Sequence, residues 1–199
     1  ARASTDMVEK NRRLAADFLG ASSEREVVFS AGATEAFNII AYGLSAFCES
    51  GDEIVVSDSE HHANLLPWQR LAQQQQCELQ FFKAEKGVLD SEQYLREKSM
   101  SVINERTRIL ALSGASNVFG RVLDIALLAT IKKRFPRIII VLDASQIACH
   151  IPLQAGDWEC DFLVCSAHKF YGPTGVGLLY AREEYLQRMP PLHLGGEMV

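Results

Sequence analysis

The chain has 199 residues, enough for one sizeable domain with its own core. Hydrophobic residues make up 48% and charged residues 23%, an ordinary globular balance, and the net charge of −5 argues against nucleic acid or an anionic membrane as the main partner. No apolar run is long enough to span a bilayer and no signal-peptide pattern opens the chain, so a cytoplasmic protein is expected.

Taken in order, Ser4 or Thr5 can cap a first helix running to about Leu19, stopped by Gly20. Met7, Leu14, Phe18 and Leu19 are its expected buried stripe, and the basic cluster from Lys10 to Arg13 its solvated face. Residues 26–30 read as a strand, and Ala31-Gly32-Ala33-Thr34 turns the chain into a helix over about 35–47. A strand over 53–57 leads into the polar loop Asp58 to Asn64, then a helix with Pro67 in its first turn that ends near Gln76. Strands follow over 77–83 and 107–113, with a short helix capped by Ser91 between them. Asp124 caps a helix to about Arg134, a β-branched strand over 137–142 ends on Asp143, and 161–165 and 177–180 supply the last strands. Strands alternate with helices, and several strands are continuous apolar runs, which suits a sheet covered on both faces. One three-layer α/β/α domain with a mainly parallel sheet is expected.

The stretch from Cys165 to Gly177 is the most informative. A buried strand leads into Ser166, His168 and Lys169, and then Gly172-Pro173 and two further glycines force sharp turns. A lysine at the mouth of a buried strand could be a Schiff-base nucleophile, because a desolvated lysine loses its charge readily; it could equally be a solvated loop lysine. In parallel sheets ligands sit outside the carboxyl ends of the strands. That rule gathers five loops on one rim, carrying Thr34, His61 with His62, Asn117, Asp143 with Gln146, and Ser166-His168-Lys169.

Each residue has a chemical use and a plainer alternative. Gly32-Ala33-Thr34 opens a helix whose N–H groups suit a phosphate, or Thr34 only caps that helix. Asp143 could hold a proton on a cofactor ring nitrogen, or form a salt bridge or cap. His61 could stack on a cofactor ring, or be a satisfied core histidine. Asn117 and Gln146 suit a ring hydroxyl, though loop amides are common. The glycine-rich run 172–177 lacks the G-K-[ST] ending of a nucleotide P-loop. His61-His62 with His168 lacks a zinc pattern, and no metal is expected. The five cysteines, Cys48, Cys77, Cys149, Cys160 and Cys165, are odd in number and form no C-x-x-C pair, so reduced thiols are expected.

Five blocks together carry a family resemblance: Ala31-Gly32-Ala33-Thr34-Glu35; Glu60-His61-His62-Ala63-Asn64 with Pro67-Trp68; Ser116-Asn117-Val118; Asp143-Ala144-Ser145-Gln146; and Ser166 through Gly175. In this order they resemble the class V aminotransferase-fold enzymes, and within them the cysteine desulfurases, also called selenocysteine lyases, of the SufS/CsdA type. The resemblance covers essentially the whole chain. It implies the large domain of a fold type I enzyme that uses pyridoxal 5′-phosphate. By matching positions it implies that Lys169 forms the Schiff base, Asp143 pairs with the ring nitrogen, Gln146 faces the ring hydroxyl and His61 stacks on the ring. Thr34, Ser166 and His168 would hold the phosphate, and Asn117 would lie near ring and substrate. Ala33 and Ala144 are small departures, standing where threonine and glycine are common.

The resemblance further implies L-cysteine as substrate, alanine and an enzyme persulfide as products, a sulfur-acceptor protein serving iron–sulfur cluster assembly, and a homodimer. Residues 1–199 are then expected to be a partial large domain, without the family's N-terminal segment, small domain, substrate-binding arginine or persulfide-forming cysteine. Two rival readings are another class V activity, such as an epimerase or a different lyase, and a non-catalytic protein that kept the fold. An intact set of Lys169, Asp143 and His61 argues against the last.

Overall fold

The computed structural model describes residues 2–83, 97, 100–120 and 122–195. Seven strands form one sheet: β1 (Val27–Ser30), β2 (Glu53–Ser57), β3 (Glu78–Phe82), β4 (Thr107–Ser113), β5 (Ile139–Asp143), β6 (Phe162–Ser166) and β7 (Gly177–Ala181). Their order is β1-β7-β6-β5-β4-β2-β3. β7 pairs antiparallel with both β1 and β6, and the remaining pairings are parallel. The carboxyl ends of the other six strands therefore share one edge of the sheet, and β7 begins there.

Burial on both faces explains the continuous apolar strands. Successive side chains point to opposite faces. Leu110, Leu112, Ile140, Leu142, Leu163 and Cys165 enter one core, while Ile109, Ala111, Ile139, Val141, Phe162 and Val164 enter the other. The first core is closed by α1 (Arg2–Leu19) and α4 (Ala126–Arg134). The second is closed by α2 (Ala33–Leu44) and α3 (Leu66–Gln75), whose Phe37, Ile40, Trp68 and Leu71 are buried. A further short helix, α5 (Glu183–Leu186), follows β7. The expected three-layer, mainly parallel architecture is thus the one observed.

Three local expectations are corrected. In α1, Leu19 is buried, but Met7 is 64% and Leu14 56% exposed, and Phe18 is also exposed. The helix meets the sheet through the small side chains Ala15 and Ala16 beside Leu19, so the larger apolar stripe faces away. Arg12 is not purely solvated either. Its Nη1 donates to the carbonyl of Val27, and its guanidinium lies 5.1 Å from the centre of the Phe29 ring. The α2 helix starts at Ala33 with Gly32 as N-cap, so Thr34 sits inside its first turn rather than capping it. The short helix expected after Ser91 has its start outside the described residues.

Candidate active site

The rim at the carboxyl ends of the parallel strands carries a cavity of about 190 Å³. Thr34 enters it from the first turn of α2, His61 from the loop after β2, and Asn117 from the turn after β4. Asp143 ends β5, Gln146 follows three residues later, and Ser166, His168 and Lys169 come from the end of β6. The eight residues to which the family resemblance gives a cofactor role all line this one cavity. A second, more open cavity adjoins it and shares Ala33, Thr34, Ser166 and His168.

The lysine loop is fixed by its backbone. Residues Ala167–Lys169 form a 3-10 turn, and the amides of Phe170 and Gly172 both donate to the carbonyl of Ala167, at 3.0 and 2.9 Å. A Cβ at Gly172 would stand 2.8 Å from the Cβ of Ala167, so this turn admits only glycine. Ser166 Oγ accepts from the amide of Ala33 at 2.9 Å, which ties the lysine loop to the start of α2. Behind that junction a Cβ at Gly177 would come within 2.7 Å of Gly32, so the glycine lets the two loops meet. Lys169 lines the cavity and is exposed, the solvated one of the two states considered for it from the sequence.

Asp143 is buried, and its Oδ1 accepts from the amide of Ser145 at 2.9 Å. Burial pushes its carboxyl above the ordinary range; the Ser145 amide, His61 and Lys169 act against that push. No ion pair to Asp143 forms among the described residues. The Ser145 hydroxyl is buried nearby, close enough to favour the charge on Asp143, and has no well-formed hydrogen bond among the described residues. A buried hydroxyl left unpaired is costly, so this atom is either a local strain or a donor awaiting an acceptor.

His61 precedes the 3-10 turn His62–Asn64, and its Nδ1 accepts from the amide of Ala63 at 3.1 Å. With Nδ1 accepting, the proton of the neutral ring belongs on Nε2. His62 does not line the cavity.

Two polar side chains, one buried and one half-buried, were missed from the sequence. Glu60 is buried between His61 and the end of β4, and Ser113 lines the cavity beside Asp143, its register partner. Glu60 Oε1 accepts from the Ser113 amide at 2.9 Å, and Oε2 accepts from Ser113 Oγ at 2.5 Å and from Asn64 Nδ2 at 2.7 Å. Asn64 Oδ1 in turn accepts from Trp68 Nε1 at 3.0 Å. Burial raises the Glu60 carboxyl to about 7, against the hydrogen bonds that favour its charge. The spacing of Glu60, Asn64 and Trp68, four residues apart each time, was the available signal that they share one face.

A carboxylate and a lysine facing one polar cavity, at the carboxyl edge of a covered parallel sheet, define a cofactor-type site of an α/β enzyme domain. Residues 1–199 match the family model described as Aminotransferase class-V, and the chain belongs to that family. It is 39% identical over 199 residues to a cysteine desulfurase of Pectobacterium atrosepticum, covering 98% of this chain and 47% of that protein. It is 42% identical over 197 residues to a probable cysteine desulfurase of Pseudomonas putida, with the same two coverages. The crystal structure of the cysteine desulfurase CsdA from Escherichia coli superposes with a TM-score of 0.87 at 35% identity, covering 100% of this chain and 49% of that one. The chain thus spans about half the length of the curated relatives it matches.

Proposed function

We propose that these residues are the cofactor-binding large domain of a pyridoxal 5′-phosphate-dependent cysteine desulfurase, which converts L-cysteine to L-alanine and an enzyme persulfide. The observation that carries this reading is the convergence of eight side chains from five separate loops on one cavity. The likeness to cysteine desulfurases at 39% and 42% identity supports it.

The residues present fit the cofactor. The buried Ser145 hydroxyl and the Asp143 carboxylate, which has no ion pair among the described residues, line the cavity together. At its other end α2 begins on Gly32 with no side-chain cap, between Thr34, Ser166 and His168, which is a polar, positively polarised cradle for a phosphate. When bound, pyridoxal phosphate supplies an electron sink for charge that develops on the substrate. Lys169 is the amine for its covalent attachment. Asp143 would hold a proton on the ring nitrogen, which would strengthen the sink; Gln146 would suit the ring hydroxyl, His61 would lie against the ring with Nε2 available to move a proton, and Asn117 would border the substrate.

Sulfur transfer needs a thiol that can reach the substrate. Cys48, Cys160 and Cys165 are buried, and burial pushes each thiol up to about 12. Neither these nor Cys77 and Cys149 line the cavity. We therefore assign the sulfur-accepting cysteine to the part of the protein that the relatives have in addition. Homodimer formation, a sulfur-acceptor protein and a cytoplasmic place of action in iron–sulfur cluster assembly complete this reading. Its support there is the family alone, together with the fact that no helix among the described residues is long and apolar enough to cross a membrane.

The test is alanine release from cysteine by the whole protein, combined with borohydride reduction and peptide mapping. Alanine and persulfide should form together, and the reduced cofactor should be found on the peptide containing Lys169. A label on Lys132, or a bound cofactor with no alanine release, would overturn the assignment.

A further inference from the structure

Glu60, Asn64 and Trp68 belong to the block that carries His61, yet the proposed chemistry uses only the histidine. Their side chains form a buried relay. Trp68 Nε1 donates to Asn64 Oδ1, and Asn64 Nδ2 donates to Glu60 Oε2. The far side of the same carboxyl takes the amide and the hydroxyl of Ser113. Glu60 therefore bridges two pieces of the rim. One is the turn His62–Asn64, whose closing bond runs from the Asn64 amide to the carbonyl of His61 at 2.8 Å. The other is the end of β4, where Ser113 lies in register with Asp143 and the next amide, Gly114, donates to the Asp143 carbonyl at 2.8 Å.

We propose that Glu60 is a positioning residue, which holds His61 at a fixed place relative to Asp143 by clamping the His61 turn to the end of β4. The proposal rests on the cofactor reading of the site, since it is about where two of that site's residues stand. The hydrogen-bond count explains why a carboxyl is needed. Three donors converge on Glu60, two of them on Oε2. A glutamine in the same pose would turn its NH2 toward either the Asn64 amide or the Ser113 amide, both of which are donors. Asn64 cannot flip to help, because its oxygen is held by Trp68. The charged group that faces Glu60 from β5 is Asp143, and Asp143 itself faces His61 and Lys169. The carboxyl is poised near neutrality, so its charge changes within the working range of an enzyme.

The experiment uses the whole protein and the variants Glu60→Gln, Ser113→Ala and Asn64→Ala. Pyridoxal phosphate affinity of the stripped protein, the visible spectrum of the bound cofactor against pH, and kcat and KM for cysteine are measured. Glu60→Gln should keep its fold at pH 6 by circular dichroism. It should bind the cofactor roughly tenfold more weakly, lose a spectral transition near pH 7, and lower kcat about tenfold with KM little changed. Ser113→Ala and Asn64→Ala should shift the same readings in the same direction by smaller factors. They also stand in if Glu60→Gln does not fold. If the variants bind the cofactor with wild-type affinity and an unchanged spectrum, or only melt at a lower temperature with these readings intact, Glu60 is structural and the proposal falls. A wild-type protein that binds pyridoxal phosphate but releases no alanine would sink the desulfurase reading and leave the spectral test of Glu60 standing.

Discussion

The two ends of the sheet treat buried carboxylates differently. At the amino end, Asp161 is gripped by Lys132 at 2.6 Å and by Arg182 at 3.5 Å, and also accepts from the amide of Ile140. Glu53 there is paired with Arg106 and bonded by Asn104 at 2.7 Å. At the carboxyl end, Asp143 and Glu60 are also buried, yet among the described residues they have hydrogen bonds and no ion pair. A buried charge without a partner costs stability, and a fold retains one where the charge does something else. The amino end is built to hold the sheet together, while the carboxyl end leaves Asp143 lining the cavity without a counter-charge among the described residues.

Replacing Asp143 should separate these two roles most sharply. Asp143→Asn keeps the acceptor for the Ser145 amide and removes the unpaired charge. In the whole protein, turnover on cysteine should fall by about 10²-fold or more, as for loss of a group that governs a proton in the transition state. The stripped protein, in contrast, should melt at the same temperature or a few degrees higher at pH 8, because a costly buried charge is gone. A lower melting temperature of the stripped variant would show that Asp143 supports the fold like the acids at the other end.

Asp161→Ala tests the opposite end. It leaves Lys132 and Arg182 facing a half-buried site without their carboxylate. Removing one partner of a buried pair costs about 3–5 kcal/mol, so the melting temperature should fall by roughly ten degrees. Cofactor affinity and spectrum of the folded protein should be unchanged, as measured by equilibrium dialysis below the melting transition. A specific loss of cofactor without loss of stability would break the comparison.

The sequence made the fold legible because both periodicity and burial pointed the same way. Runs such as 139–142 and 162–165 are apolar throughout, and both of their faces are covered. Polar residues placed just after such runs could be carried to one rim by a general rule, without knowing any side-chain contact. What failed was α1, where the sequence offers a large apolar stripe and the fold uses the small one at Ala15, Ala16 and Leu19. Helical periodicity says that a stripe exists, but not how closely the helix must approach the sheet. Glu60 was hidden for another reason. In the sequence it sits in a run of charged and polar loop residues, and only the fold brings Ser113, fifty-three positions away, against it.

The last and smallest expected effect concerns pH. Glu60 keeps its proton in the folded chain up to about 7, against 4.5 for the ordinary group. Below 4.5 folded and unfolded chains both carry this proton. Between 4.5 and 7 the unfolded chain has released it and the folded chain has not, so folding takes up a proton and stability falls as pH rises. The slope for one group is at most about 1.4 kcal/mol per pH unit, and it vanishes above the folded value. Asp143 and Asp161 are shifted upward too, so each adds a slope of the same sign that begins at lower pH. The difference between wild type and Glu60→Gln isolates Glu60, since both proteins keep the other two acids. Urea unfolding of the cofactor-free protein from pH 5 to 8 should show wild-type stability declining more steeply than that of Glu60→Gln, with the two slopes meeting above pH 7. Parallel slopes over the whole range would mean that the folded and unfolded chains titrate this carboxyl alike. The three hydrogen bonds that favour its charge would then have cancelled the cost of burial.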